Sequence, residues 1–429
     1  MSVTTTTDGR ALLREVLAAG SCSHPIRLTG RIVNMATGEL KDSSLRVPCK
    51  DRRVAICPAC SYLYKADAWI LISAGIVGGK GLPTSIGDHP RLFVTLTAPS
   101  FGAVHRHNTT GRCNRRRPTA AERCRHGRAT LCQSTHDDTD LLLGQPICGK
   151  CFDYRGAVLW NAAASKLWNA TIIRLRQSIA TAAGLTTSRA NEIARINYLK
   201  VAEVQRRGLI HFHVIIRADG PEGPEDTPPA WLTPELLGDN LRSVIRSASV
   251  EGPDGTRVRW GTQFDIADVS SEIGSGHKVA SYLAKYSTKT TDGSVTLARA
   301  FSSRRQIEKA RLDEHTRLLA LTAWDLDRMY SDLRLRHHAH TFGFRGQLIT
   351  KSMGFSTTFG QLRGARTEFM KAQSSSDPVA GTFHYAGRGY SDPRGEQVAH
   401  LLHGLHLEQR KEAALSRSRS RPSSRGGSQ

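Results

Sequence analysis

Apolar and polar residues alternate along several stretches of the chain, and each stretch predicts a β-strand. Residues 91–98 are rich in β-branched and aromatic side chains and stop at Pro99. Residues 196–205, 209–217 and 258–268 predict further strands. The turn Arg206-Arg207-Gly208 has glycine where a hairpin favours a left-handed residue, so the second and third strands should form a hairpin.

Helical spacing of apolar residues recurs between these strands. It covers residues 61–76, 152–183, 231–250, 277–290 and about 313–335. Residues 342–359 are rich in Gly and Thr and favour a short hairpin. Strands and helices therefore interleave through the middle of the chain, which predicts the α+β class.

Changes in composition divide the chain into five predicted regions. They are a polar lead over residues 1–48, a Cys-containing helical segment over 49–88, a core over 89–300, an α/β segment over 301–373, and a basic disordered tail over 374–429. Inside the core, residues 102–151 have little periodicity and many Cys and His residues. We expect this insertion to be built of loops and held together by metal.

The charge of the chain indicates the kind of partner. Sixty Lys and Arg against 38 Asp and Glu give a formal net charge of +22, which favours a polyanion and most simply nucleic acid. The longest apolar run, residues 68–79, is shorter than the roughly 20 residues that cross a bilayer, and residues 1–14 lack a secretory pattern. We expect a cytoplasmic protein with no membrane partner.

His211 and His213 are two residues apart on the third predicted strand, so both imidazoles project from one face and can share a divalent ion. Glu203 on the preceding strand is the candidate oxygen ligand. A three-residue loop at residues 206–208 places Glu203 across from His211 on the same face, whereas a two-residue loop places it opposite Phe212 on the other face. The alternative is that both histidines bind no metal and have their hydrogen-bonding partners within the sheet.

One face of the predicted helix 277–290 carries two phenols and two ammonium groups, which are Tyr282, Lys285, Tyr286 and Lys289. The opposite face is small and apolar. A tyrosine can attack phosphorus and form a covalent phosphotyrosine, and nearby lysines favour both the phenolate and the phosphate. The alternative is two ordinary tyrosines at helical spacing.

Two cysteine pairs have zinc-knuckle spacing, namely Cys57 with Cys60 and Cys148 with Cys151. They either join in one four-cysteine site or each recruit further ligands to make two sites. The further candidates are Cys49, Cys113, Cys124, His126, Cys132 and His136. The alternative is free buried thiols, although interleaved arginines leave little apolar burial for them. Cys22 stands apart and is not predicted to be a ligand.

The order of these segments resembles the HUH endonucleases. The matching segments are the strand that ends at Pro99, the His-x-His strand around Phe212, and the Tyr-x-x-Lys-Tyr helix. Within that class the chain is similar to rolling-circle initiators with two tyrosines, the bacteriophage gene A proteins and the actinobacterial plasmid initiators of the RepSA kind. The likeness to the plasmid initiators covers about residues 49–363.

The resemblance implies a five-stranded antiparallel sheet of RRM-like or palm-like topology, with the His pair on a central strand. It implies a transesterification dependent on Mg²⁺ or Mn²⁺, while the cysteine pairs separately predict structural Zn²⁺. Tyr282 or Tyr286 would attack the origin, hold the 5′ phosphate and leave a 3′ hydroxyl that primes synthesis, and the second tyrosine would close the cycle. The implied partners are single-stranded or extruded origin DNA and a host helicase and polymerase.

Two other functions fit parts of the same pattern. A transposase of the HUH class shares the His pair and both tyrosines. A zinc-stabilised DNA-binding regulator has the cysteines and the charge, and in it His211, His213 and the tyrosines only pack. The regulator binds duplex DNA and cuts nothing.

Overall fold

The computed structural model describes residues 7–106, 119–132, 134–137, 139–269, 275–292, 300–372 and 379–419. The helices are α1 Thr7–Ala18, α2 Pro58–Val77, α3 Tyr154–Ala182, α4 Thr187–Ile193, α5 Pro234–Ser247, α6 Ser275–Asp292, α7 Arg304–Lys309, α8 Glu314–Leu326, α9 Phe359–Ala372 and α10 Gly395–Arg419. The strands are β1 Ile26–Asn34, β2 Leu40–Val47, β3 Arg91–Leu96, β4 Arg195–Val204, β5 Ile210–Asp219, β6 Ser249–Glu251, β7 Arg257–Arg259, β8 Phe264–Asp268, β9 Ile349–Lys351 and β10 Val379–Arg388.

The chain forms two compact units. The terminal unit comprises Met1–Asp67 and Gly360–Gln429, and the central unit comprises Ala68–Phe359. None of the helices in the described ranges combines the length and apolar content that a bilayer crossing requires.

The terminal unit contains a three-stranded antiparallel sheet in the order β10-β1-β2. Gly30 of β1 lies so close to β10 that a Cβ atom at this position would overlap the main-chain oxygen of Thr382. Helices α1 and α10 pack against each other through Leu12, Val16 and Ala399. Both ends of the chain are therefore needed to build this unit.

The structure corrects the sequence predictions for both ends. The predicted polar lead, residues 1–48, contains α1, β1 and β2, and the predicted disordered tail, 374–429, contains β10 and α10. The side chains of β10 are mostly exposed, so backbone pairing with β1 rather than an apolar face defines this strand. Sequence periodicity does not detect such a strand. Of the basic stretch 416–425, residues 420–425 lie outside the described residues.

The central unit contains a five-stranded antiparallel sheet in the order β8-β3-β5-β4-β9. This confirms the α+β class and the five-stranded antiparallel sheet, and it places β5 in the middle. Residues 342–359 do not form the hairpin that their composition favours. They provide β9, which pairs with β4 over Leu199–Val201 because that edge of the sheet is available.

One face of β5 packs into the main hydrophobic core. Phe212, Val214 and Ile216 are fully buried there, together with Trp168 of α3. Burial of a large apolar side chain contributes roughly 1.5–3 kcal/mol. Asp153 caps the N-terminus of helix α3, because its carboxylate accepts a hydrogen bond from the Gly156 amide. The core therefore fixes the position of β5 and leaves its other face for polar residues.

The Cys/His-rich insertion, residues 102–151, is built mainly of loops. Its described parts contain isolated bridges, such as Val104 with Pro146, and the short 3₁₀ turns Ala120–Glu122 and Gly149–Cys151. Cys113 and the arginines around it lie outside the described residues.

Candidate functional site

His211 and His213 lie side by side on β5. The β-branched run from Val214 to Ile216 favours extended backbone, and residues two apart project from the same face. The two ring centroids are 4.6 Å apart. Both rings are buried, with exposed fractions of 8% for His211 and 2% for His213.

The hairpin between β4 and β5 has the three-residue loop. The Gln205 amide donates to the Leu209 carbonyl, and Glu203 pairs with His211. The carboxylate therefore lies on the histidine face, where its Oε2 atom is 3.3 Å from Nε2 of His213. Gly208 has φ of +77°, which glycine adopts readily and other residues rarely do.

Two imidazoles and one carboxylate form a donor set that suits a divalent ion. The Nδ1 atom of His211 accepts a hydrogen bond from Nε2 of Gln205 at 3.3 Å. Among the described residues, His211, His213 and Glu203 do not form one of the groups whose ligand atoms all lie within 4.8 Å of each other. The three side chains share one face, and the His213–Glu203 pair is in direct contact.

Helix α6 presents Tyr282 to this face. The Tyr282 ring lies edge-on to His213 at 5.3 Å and to Phe93 of β3 at 5.7 Å between centroids, and it is 40% exposed. Leu283 and Ala284 are buried and hold the helix against the unit, while Lys285 is exposed. The structure therefore brings Tyr282 and the His pair together.

Tyr286 and Lys289 lie on the same helix, within Ser275–Asp292. Their side chains lie outside the described part of the structure. They stay predictions from helical spacing, in which Tyr286 follows Tyr282 by one turn.

Two further contacts attach α6 to α2 within the central unit. The Trp69 indole N–H donates to Oγ of Ser281 at 3.1 Å, and its ring stacks on His277 with 5.9 Å between centroids. Oγ of Ser73 lies 3.3 Å from Nδ1 of His277. These contacts fix the N-terminal half of α6, which carries Tyr282.

A groove of about 440 Å³ runs beside the end of β3. Its lining includes Pro99, Arg106 and Arg207. The Arg207 guanidinium donates to the main-chain oxygens of Ala98 and Pro99 at 3.0 and 3.2 Å, which links the β4–β5 turn to the end of β3. The groove therefore has a cationic wall next to the histidine face.

The cysteines form separate clusters. One group in the terminal unit comprises Cys22, Cys49, Cys57 and Cys60, and one in the central unit comprises Cys124, His126, Cys148 and Cys151. Among the described residues, each knuckle pair lies with other candidate ligands, as in the second alternative left open by the spacing.

Cys22 does not stand apart, as the sequence predicts, but lies within the first cluster. Its Sγ atom is 3.8 Å from Sγ of Cys57, and Sγ of Cys49 is 3.7 Å from Sγ of Cys60. Contact with the Cys22 thiol lowers the pKa of Cys57, which favours a thiolate donor. Cys22 precedes β1 and Cys49 follows β2, so the hairpin brings them together.

Cys132 does not join Cys124, Cys148 and Cys151. It lies with His136, a candidate of the sequence analysis, and His105, which was not one. A lone histidine after a strand and loop carries no ligand spacing, so sequence reasoning could not identify His105. Phe93 and Thr95 were also missed as neighbours of His213, although their two-residue spacing on β3 gives the signal.

Comparison with known proteins identifies one matching family and one similar protein, and no similar solved structure. Residues 8–404 match the RepSA family, described as replication initiator protein, pSAM2. A replication initiator protein of Streptomyces ambofaciens is 35% identical over 429 residues, which covers 92% of this chain and 90% of that protein. No solved structure matches the chain.

Proposed function

The chain belongs to the RepSA family of replication initiator proteins, and on this premise we propose that it nicks and rejoins one DNA strand at a plasmid origin to start and end rolling-circle replication. The observation that carries the nicking step is the half-exposed Tyr282 ring lying edge-on against His213. A solvent-accessible phenol beside buried metal-ligand candidates is an arrangement suited to phosphoryl transfer.

The proposed reaction is a transesterification. The phenol oxygen of Tyr282 or Tyr286 attacks the phosphorus and loses its proton to water. The bond from phosphorus to the 3′ oxygen breaks, and that oxygen takes up a proton. The 5′ phosphate is then a tyrosine ester, and the free 3′ hydroxyl primes a host polymerase. Rejoining reverses these steps, so two tyrosines allow one chain to begin and finish a circle.

His211, His213 and Glu203 are the residues that would hold the catalytic ion. When bound, Mg²⁺ or Mn²⁺ supplies positive charge to the phosphate oxygens. Two imidazole nitrogens favour Mn²⁺ over Mg²⁺, because Mg²⁺ prefers ligands that are all oxygen. Glu203 lies in direct contact with His213, and the burial of both histidines keeps water from the inner side of the site.

Lysines of α6 assist on the exposed side. Lys285 is exposed one turn along from Tyr282, and Lys289 follows by helical spacing. Their ammonium groups favour the phenolate and the DNA phosphate. Three exposed arginines, Arg123, Arg125 and Arg128, flank Cys124 and His126 and provide further phosphate contacts.

The two four-ligand clusters hold structural Zn²⁺. Four sulfur donors, or three sulfurs and one imidazole, are the usual ligands of a closed tetrahedral site. In the second cluster Nδ1 of His126 is 3.2 Å from Sγ of Cys151 and 3.7 Å from Sγ of Cys148. Zinc there replaces the apolar core that the loop-built insertion lacks.

A covalent-adduct assay tests the proposal. The purified protein is incubated with a labelled single strand of the plasmid origin and Mn²⁺, and adducts that survive denaturant are counted. We expect an adduct with the wild type, a reduced yield with Tyr282→Phe or Tyr286→Phe, and none with both changes. Tyr385→Phe is the control, since this exposed tyrosine lies in the terminal unit. An adduct from the double variant would contradict the helix assignment, and none from the wild type would favour a non-catalytic DNA-binding protein.

A further inference from the structure

The described residues include a third convergent set of ligand atoms, apart from the two four-ligand clusters and the histidine pair. Nδ1 of His105, Sγ of Cys132 and Nε2 of His136 lie 3.0–3.2 Å from one another. Zinc bonds of about 2.0–2.1 Å to nitrogen and 2.3 Å to sulfur separate two ligands of a tetrahedral ion by about 3.3–3.6 Å. An outward shift of a few tenths of an ångström therefore admits an ion.

Hydrogen bonding alone does not explain this triangle. Nδ1 of His136 is 2.6 Å from Oδ2 of Asp140, and the imidazole tautomer that donates its proton to this carboxylate has a lone pair at Nε2. Nδ1 of His105 and Sγ of Cys132 can each offer at most one proton, which leaves at least one of the three short contacts without a hydrogen. Three potential ligand atoms that converge on one centre are the arrangement of a metal site.

Burial and outer contacts agree with this interpretation. Cys132 and His136 are 7% and 3% exposed, within a loop region that has few apolar residues. A carboxylate that accepts from the far nitrogen of a histidine is the usual support of a zinc ligand, since it fixes the tautomer and the ring orientation. Asp140 provides that support here.

We propose that His105, Cys132 and His136 bind a third zinc ion, with Asp140 as the carboxylate that orients His136. The ion joins His105 to the loop that carries Cys132 and His136. His105 also exchanges backbone hydrogen bonds with Gly144 and Gln145, further along the chain.

The third ion also stiffens the support of the β4–β5 turn. Nη1 of Arg206 donates to the main-chain oxygen of Asp140 at 2.8 Å. Gly144, with φ of +85°, approaches Arg206 so closely that a Cβ atom would lie 2.5 Å from the arginine Cβ. The turn places Glu203 across from His211, so metal binding at His136 supports the histidine face, a consequence that rests on the proposed function.

Metal content tests the site without any cleavage assay. We expect three zinc ions per chain in the purified full-length protein by elemental analysis, and two in Cys132→Ser or His136→Ala. Ser134→Ala, an exposed neighbour, should keep three. Asp140→Asn should keep the site but release its ion to a chelator about 10–100-fold more readily. Equal zinc content in the wild type and both ligand variants would overturn the proposal.

Cobalt spectra provide a second measurement that does not depend on counting. After replacement of zinc by Co²⁺, the spectrum of the wild type minus that of Cys132→Ser should show a tetrahedral ion with one thiolate. A difference spectrum with several thiolates, or none, would contradict the assignment. Circular dichroism of each variant separates loss of the ion from loss of the fold, and the adduct assay can fail without affecting either result.

Discussion

The two ends of one face of β5 use buried polar residues in different ways. The odd-numbered residues His211, His213, Arg217 and Asp219 all project from this face, and all are at least nine-tenths buried. At the histidine end, His213 contacts a tyrosine that is 40% exposed. At the other end, Arg217 and Asp219 lie in a network with no exposed surface of their own.

The network satisfies its charges internally. Arg217 donates to both Asp219 oxygens at 2.6 and 2.8 Å and to main-chain oxygens of Gly354 and Phe355 at 3.1 Å, and it also donates to the Gly75 oxygen. All five guanidinium hydrogens are therefore used. His89 and Asn197 bond to Asp219 at 2.8 and 2.7 Å. Burial opposes ionisation of Asp219, but these partners hold its pKa below the usual range.

This difference shows that burial of a polar residue does not by itself indicate whether the residue has a structural or a functional role. Both ends have buried ionisable groups on one strand, but the histidine end contacts the exposed ring of Tyr282, whereas His89 and Asn197 at the network end are buried. We therefore expect the network end to stabilise the fold and the histidine end to be accessible to a substrate. The distinction would be contradicted if variants at the network end lost adduct formation, or if variants at the histidine end lost only stability.

The largest effect should come from His213→Ala. Loss of a ligand should lower the rate of adduct formation by more than about 100-fold, with DNA binding retained. The matched control is His89→Ala, another buried histidine, which should lower stability and leave adduct formation per folded molecule unchanged. If the two variants lose adduct equally, the distinction between the two ends is wrong.

Asp219→Asn should give the largest loss of stability. The change leaves the Arg217 charge buried without its counter-ion, which costs about 3–5 kcal/mol. Denaturant unfolding measures this loss, and Asp265→Asn, at an exposed position on β8, should change stability by less than about 0.5 kcal/mol. A loss no larger than that control would contradict the network's role.

Acid titration of the same variant sharpens the result. The pKa of Asp219 is lower in the folded than in the unfolded chain, so its stabilisation is present above the unfolded value of about 3.9 and is lost as pH falls through the folded value. The wild type should therefore lose stability more steeply below about pH 4 than Asp219→Asn.

Gly208→Ala should have a smaller effect at the histidine end. The new methyl group meets the buried side chain of Leu319 and the backbone stays at positive φ, so we expect a loss of about 2–3 kcal/mol. Gly255→Ala is the matched control, because it has φ of +76° and open space around it. Its expected loss of stability is about 1 kcal/mol. Equal losses in the two variants would show that contact with Leu319 does not contribute.

Local patterns were sufficient for much of the site. Alternation of apolar residues predicts β3, β4 and β5. Gly208 predicts a tight turn between β4 and β5, with a three-residue loop as one of two possible lengths. The exposed and buried faces of α6 followed from helical spacing, as Tyr282 and Leu283 show. These features depend on residues that are close in sequence, and backbone geometry determines them.

Features formed by distant residues were not predictable in the same way. Cys22 has no ligand spacing of its own, and the β1–β2 hairpin brings it to Cys49. Arg217 and Asp219 look like ordinary strand polar residues until Asn197 and His89 are placed beside them. β10 has no apolar face and exists through its pairing with β1. In each case the missing information is which segments meet.

The pairing of β10 with β1 can form only late in the synthesis of the protein. Asn34 pairs with Val379 and Ile26 with Arg388, so the ribosome completes the whole central unit before β10 exists. Until then the free edge of β1 is open to other chains, and the charges of Arg27 and Arg31 on that strand discourage such pairing. During synthesis we therefore expect the terminal unit to be completed last, at a rate that depends on how quickly β10 pairs with β1.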